Sequence, residues 1–258
     1  MRIVFFASGG PGHFAAACSL AEEFPGLLEV RLLVCDRRNT PSSKVARENA
    51  IEVLEYDWID HAASLQGASR ADQSRYFHDQ IHNDIVSFER RDGGRLDLAV
   101  LAYRQIIRGT LLERFEGACI NQHPADLSVR DSGGRRFTGI GGHARALRSG
   151  QRRSCTSTIL VRDGIDNGEI LCRGPFVPFA GAADDLVAIR RHEEIQKARS
   201  DWPSLKFALA AIATGRMAIS NERHDDGCFV MLLDDSPLPY GGAEAGPQGY
   251  RQLVISAA

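Results

Sequence analysis

The chain has 258 residues, of which 43% are apolar and 25% charged, with 31 Lys plus Arg against 33 Asp plus Glu and a formal charge of -2. That length supports one generous domain whose core needs neither disulfides nor metal, and the balanced charge excludes a global field for nucleic acid. No apolar run approaches the roughly 20 residues that span a bilayer, and the opening MRIVFFASGG lacks a signal peptide's apolar region and cleavage site; a cytoplasmic protein with no membrane and no nucleic-acid partner is expected.

Short β-branched runs alternate with amphipathic stretches over the first hundred residues, the pattern of βαβ units around a parallel sheet. RIVFFA (2–7) reads as a buried strand, and Phe14, Ala17, Cys18, Ala21 and Phe24 recur at helical spacing until Pro25-Gly26. Strand EVRLLVC follows and ends at Cys35; a helix over about 41–50 leads to strand IEVLEY, and a long helix over about 70–91 leads to LDLAVLAY. A helix near 110–115 precedes strand ACIN, which delivers Asn121 and His123 just past its carboxyl end, where open α/β sheets place ligands.

Residues 126–142 read as a Gly-rich loop, GGHARALRSG as a short helix, and CTSTILV and EILCRGPFVPF as a hairpin-like pair with Asp166 at its tip. Two helices, about 183–199 and 203–214, are expected to be separated by Trp202-Pro203. The tail contains a hairpin signal around CFVMLL. The six cysteines are scattered without the close pairing of a zinc or redox site and read as buried small hydrophobes.

Three constellations can carry chemistry. The turn Ser8-Gly9-Gly10-Pro11-Gly12-His13, with Asp36 ending the second strand, fits a loose dinucleotide fingerprint, although Pro11 removes an amide donor from the cradle. In Asn121-Gln122-His123-Pro124 an amide and an imidazole two residues apart on an extended segment face the same side, a pair of donors suited to a tetrahedral oxyanion. The turn Asp163-Gly164-Ile165-Asp166-Asn167-Gly168 lacks the ligand set of a calcium loop, so no metal is expected, and its Asp166 can reach an imidazole and assist proton transfer.

These motifs resemble the folate-dependent formyltransferases, above all the glycinamide ribonucleotide transformylases. RIVFFASGGPGHF is similar to that family's opening strand and turn, AYRQII to its folate-side loop, INQHPADL to its Asn-x-His-Pro signature, GGHARAL to its helix opening, and VRDGIDNGEIL to its Asp turn, over roughly residues 1–217. The resemblance implies a Rossmann-like, mostly parallel open sheet with helices on both faces, a catalytic domain over 1–216 and a small C-terminal extension over 217–258. It also implies 10-formyltetrahydrofolate as formyl donor and a small-molecule amine acceptor that can be anionic. Asn121 and His123 would stabilise the oxyanion, and Asp166 would position His123. Backbone near Gln105, Ile106 and Ile107, and from Val161 through Arg162 and Asp163 to Asp166, would hold the pterin.

Where the family binds a substrate phosphate through backbone amides and a Ser-Asn pair, this chain has Gly10, Pro11, Gly12 and His13, so the acceptor pocket is expected to be rebuilt. His143, opening the short helix, is a further substrate-side candidate. Between positions 130 and 153 seven arginines (130, 135, 136, 145, 148, 152 and 153) face only Asp131. They read either as a solvated basic face or, through Arg135 and Arg136, as forks for a substrate carboxylate. Two other readings stay open: an NAD-dependent enzyme using the glycine turn and Asp36, and a relative that passes the formyl group to water.

Overall fold

In the computed structural model, which describes residues 1–257, the chain is a mixed α/β protein with a mostly parallel sheet flanked by helices. It forms two compact units, Met1–Ile120 and a second from Asn121 onward.

The first unit runs β1 (Arg2–Ala7), α1 (Gly12–Glu23), β2 (Glu29–Cys35), α2 (Pro41–Glu48), β3 (Glu52–Glu55), α3 (Trp58–Ser64), α4 (Arg70–Asp92), β4 (Leu98–Ala102) and α5 (Gly109–Arg114), and strand β5 (Cys119–His123) starts at its end. Strands β4, β1, β2 and β3 lie side by side in that order, all parallel. Ile3, Val4, Phe5 and Phe6 are each fully buried, as expected of a parallel strand covered on both faces. Phe5 meets Phe14 of α1 edge to face at 5.5 Å. Helix starts follow local chemistry: Thr40 accepts from the Ser43 N–H ahead of Pro41, and Ser69 accepts from the Asp72 N–H at the head of α4. The expectation missed α3, whose signal is Asp57 capping Ile59 and Asp60.

The second unit continues with a two-residue hairpin, β6 (Arg130–Asp131) and β7 (Gly134–Arg135), where a plain loop was expected. Then come α6 (Gly142–Arg148), β8 (Arg153–Ser154), β9 (Ser157–Leu160), β10 (Ile170–Arg173), β11 (Val177–Pro178) and α7 (Leu186–Gln196), which starts late because Asp185 caps Val187 and Ala188. Trp202-Pro203 does not separate two helices. A π-helical turn, Lys197–Asp201, joins α7 to α8 (Trp202–Ala213), and this wider turn accommodates a proline that lacks an N–H and crowds the preceding carbonyls.

The tail forms β12 (Met217–Arg223), β13 (Phe229–Leu233), β14 (Ser236–Pro237), β15 (Ala243–Glu244) and an unexpected α9 (Gly249–Ile255). Strand β15 pairs with β10 and α9 packs on α8, so these residues build into the second unit. All six cysteines are free, four of them buried.

Phe5 anchors the first unit's core, so Phe5→Ala should lower the free energy of unfolding by about 3–5 kcal/mol. Urea titration checks this; a loss below about 1 kcal/mol would remove Phe5 from the core's main support.

Candidate active site

Strand β5 carries the site further than expected: Asn121 and His123 sit inside its last three residues, not beyond its end. Side chains alternate along it. Gln122 faces one way, donating to Thr158 Oγ1 at 2.7 Å and accepting from Ser204 Oγ at 3.1 Å. Asn121 and His123 face the other. The segment behind them is fixed by buried polar groups of β9 and α7. The Ser157 hydroxyl donates to the Ala125 carbonyl and accepts from the Leu127 N–H, and Gln196 Nε2 donates to the Pro124 carbonyl. This explains why the strand CTSTILV is rich in hydroxyls.

His123 is 4% exposed. Its Nδ1 lies 3.0 Å from Asp166 Oδ2 and its Nε2 lies 2.6 Å from the Phe137 carbonyl. Both partners are acceptors, so both are satisfied when each ring nitrogen carries a proton. The Asn121 amide is half-buried and makes no hydrogen bond among the described residues, which leaves its N–H₂ donors available beside the imidazole.

Asp166 sits in the turn between β9 and β10 with φ +49°, a left-handed conformation that costs a side-chain-bearing residue about 1–2 kcal/mol. The turn is held from several sides. The Gly139 N–H donates to Asp166 Oδ2 at 2.6 Å, Asn167 Nδ2 donates to the Asp163 carbonyl at 2.6 Å, and Arg135 Nη1 donates to the carbonyls of Asp166 and Gly168 at 2.6 and 2.9 Å. Gly168 is required there, because a Cβ would stand 1.9 Å from the Leu160 carbonyl oxygen. Gly142 is required in the same sense, since its Cβ would meet the Phe137 oxygen at 2.1 Å and His123 Nε2 at 2.8 Å. Burial pushes the Asp166 carboxyl upward, but the hydrogen bond and charge of His123, the Gly139 amide and the Arg135 charge outweigh it, leaving it below its ordinary value.

The other expected residues are placed as follows. In the first unit, Gly12 opens α1 behind Pro11, which offers no side-chain cap; Gly10 is exposed and His13 half-buried. Gln105 Nε2 donates to Asp36 at 3.0 Å, the Ile106 carbonyl accepts from Ser74 Oγ at 3.1 Å, and Ile107 is buried. Asp36 is 1% exposed, so it is not presented to a ribose hydroxyl as the dinucleotide reading requires.

In the second unit, Val161, Arg162 and Asp163 follow β9, and Arg162 pairs with the buried Glu169 at 2.9 Å. Arg135 points inward and Arg136 outward, its Nε 3.5 Å from Asp131. His143 is 3% exposed and turned to His192, its Nε2 3.3 Å from His192 Nδ1. Burial, then the His192 charge, brings its pKa down to about 4, a neutral core ring and not a solvent-facing ligand group.

The sequence reading missed the Phe137 carbonyl, the Gly139 amide and the part played by the tail. A cavity of about 590 Å³ beside Asp166 is lined by Arg135, Arg162 and Ile165 on one side and by Arg223, Asp226 and Phe229 of the β12–β13 hairpin on the other. Backbone groups leave no mark in residue identity, and the hairpin is nearly 60 positions away in sequence.

The α/β sheet presents an amide and a carboxylate-held imidazole side by side at a strand end, and the family model described as "Formyl transferase" matches residues 1–185; the chain belongs to that family. It is a folate-dependent N-formyltransferase, taking its formyl group from 10-formyltetrahydrofolate and passing it to a small-molecule amine. Among curated relatives, the phosphoribosylglycinamide formyltransferase of Bacillus subtilis is 26% identical over 173 residues, covering 67% of this chain and 77% of that protein. Among solved structures, glycinamide ribonucleotide transformylase 1 from Symbiobacterium toebii superposes with a TM-score of 0.65 at 22% identity, covering 91% of this chain and 94% of that one. A formyltetrahydrofolate deformylase from Burkholderia mallei has a TM-score of 0.60 at 14% identity, covering 90% and 69%, so the fold alone does not separate transfer to an amine from transfer to water.

The lowered Asp166 value fixes a sign. The contacts of the Asp166 carboxylate contribute stability that is present above the ordinary carboxylate value of 3.8 and is lost as pH falls through the still lower folded value. Urea unfolding of wild type and Asp166→Asn between about pH 6 and about pH 3 should show a stability gap that closes in acid. A gap that does not change with pH would mean the ionised Asp166 carboxylate does not stabilise the fold.

Proposed function

We propose that Asn121, His123 and Asp166 carry the formyl transfer and that the acceptor is a small primary amine bearing an anionic group, with phosphoribosylglycinamide the first candidate. The observation that carries the reading is the 3.0 Å contact of His123 Nδ1 with Asp166 Oδ2, made by a ring that shares its strand face with an unpartnered amide. The candidate acceptor, and with it the anionic group, is the substrate for which the Bacillus subtilis relative is named.

The unprotonated amine attacks the formyl carbon, and the carbonyl oxygen becomes an oxyanion. Asn121 Nδ2 and His123 Nε2–H donate to it, His123 Nε2 first leaving the Phe137 carbonyl. The bond from the formyl carbon to the folate nitrogen then breaks. The attacking amine loses one proton and the folate nitrogen gains one, and Asp166 keeps the imidazole oriented while the charge moves. Water is a poorer nucleophile than an oriented amine, so formate release should be the minor path when acceptor is present.

Asn121→Ala and His123→Ala should each lower kcat by about 10²- to 10³-fold with folding intact, as loss of an oxyanion donor does. The assay is formyl transfer from 10-formyltetrahydrofolate to phosphoribosylglycinamide, with formate release measured beside it. Turnover near wild type in both variants would refute the site. Formate as sole product in the wild type would refute this acceptor.

A further inference from the structure

Arg135 stands in the basic cluster that suggests a fork for a substrate carboxylate, yet its guanidinium is engaged by the protein itself. Of its five N–H groups, Nε donates to the Tyr240 hydroxyl at 2.7 Å, Nη1 donates to the carbonyls of Asp166 and Gly168 at 2.6 and 2.9 Å, and Nη2 points at Cys228 Sγ at 3.5 Å. The guanidinium also lies over the Tyr240 ring, 5.3 Å from its centroid. These partners are carbonyls, a phenol and a thiol. None is a carboxylate, so what Arg135 supplies is geometry more than charge neutralisation.

The two carbonyls belong to the turn that holds Asp166 in its left-handed conformation. Asp166 therefore has its carboxylate on His123 and the Gly139 amide, and its own carbonyl on Arg135. A residue held against its backbone preference persists only where surrounding groups over-determine it, and a planar fork bridging positions 166 and 168 meets that need. An ammonium, a single point of charge, cannot match that fork.

Arg135 is held in turn by the tail. The Tyr240 hydroxyl accepts from Arg135 and donates to Asp226 Oδ2 at 2.5 Å, and Asp226 lies at the tip of the β12–β13 hairpin. From the same tip, Cys228 Sγ donates to the Asn167 carbonyl at 3.1 Å, and the Phe229 N–H donates to Glu169 Oε1 at 3.3 Å. The carbonyls of Asp166, Asn167 and Gly168 are thus each gripped, two by Arg135 and one by the hairpin.

We propose that Arg135 is a positioning residue for formyl transfer, holding the Asp166 turn so that its carboxylate meets His123, and that the segment after Met217 serves catalysis by holding Arg135 through Tyr240. This rests on the reading that Asp166 orients His123. It also reverses the kinetic signature expected of a substrate fork. A fork raises KM on truncation, whereas a positioning residue lowers kcat and leaves KM in place.

The test measures kcat and KM for both substrates in Arg135→Ala, Arg135→Lys, Tyr240→Phe and, as reference, Asp166→Asn. Arg135→Ala should lower kcat about 10- to 100-fold, the scale of a small misplacement near the reacting groups, with KM values within about twofold. Guanidinium at low, non-denaturing concentration should restore part of the rate to Arg135→Ala and none to Asp166→Asn. Arg135→Lys should recover less than guanidinium does, and Tyr240→Phe should lose kcat in the same sense as Arg135→Ala but by less. A raised KM with unchanged kcat would overturn the proposal in favour of a substrate contact, and so would Tyr240→Phe at wild-type rate together with no guanidinium rescue. If Arg135→Ala does not fold, Tyr240→Phe decides alone. Full activity in Asp166→Asn would instead fail the underlying site reading.

Discussion

The contact between His123 Nδ1 and Asp166 Oδ2 is the interaction on which the site depends. Their side chains are 5% and 10% exposed, so neither polar group is well hydrated and each relies on the other. Removing one partner leaves the other's buried polar atoms unsatisfied, at a typical loss of about 1–3 kcal/mol. The pair is strong only while its geometry is kept, and much of the second unit keeps it. Hydroxyls of β9 and the Gln196 amide hold the chain past β5 from one side, while the Gly139 amide and the Arg135 fork hold the Asp166 turn from the other.

Close approach places a second constraint on the site. The Phe137 carbonyl, His123 Nε2 and the backbone of Gly142 crowd one another so tightly that no side chain fits at position 142. The same holds at Gly168 against the Leu160 carbonyl. These two glycines let backbone groups act as site groups, one accepting from the imidazole and the other closing the turn below Asp166. A site lined by backbone carbonyls and amides is rigid without long side chains, which suits donors that must already be aimed when charge develops.

The seven-arginine cluster shows how composition misleads about use. Arg130 pairs with Asp225 at 2.5 Å, Arg136 stands near Asp131, Arg145 donates to the Ile140 carbonyl, Arg152 to the Gly181 carbonyl, and Arg153 stacks on Phe176. These five serve local structure, whereas Arg135 turns in toward the Asp166 turn. A count of charge along the sequence records their sign but carries nothing about direction.

The sequence by itself determined the α/β alternation, the buried first strand and the side-chain types of the proposed site, because each is written locally: in β-branched runs, in helical spacing, and in the Asn-x-His and Asp-x-x-Asp motifs. The hairpin around CFVMLL was legible for the same reason. Only the tertiary structure decided what those residues meet. That His143 lies buried against His192, that Trp202-Pro203 is absorbed by a π-helical turn, and that Tyr240 reaches Arg135 across 105 positions are outcomes of packing. Local preference sets the elements; the direction of a guanidinium or the partner of a carbonyl is set by which surfaces close together, and one residue's identity does not encode that.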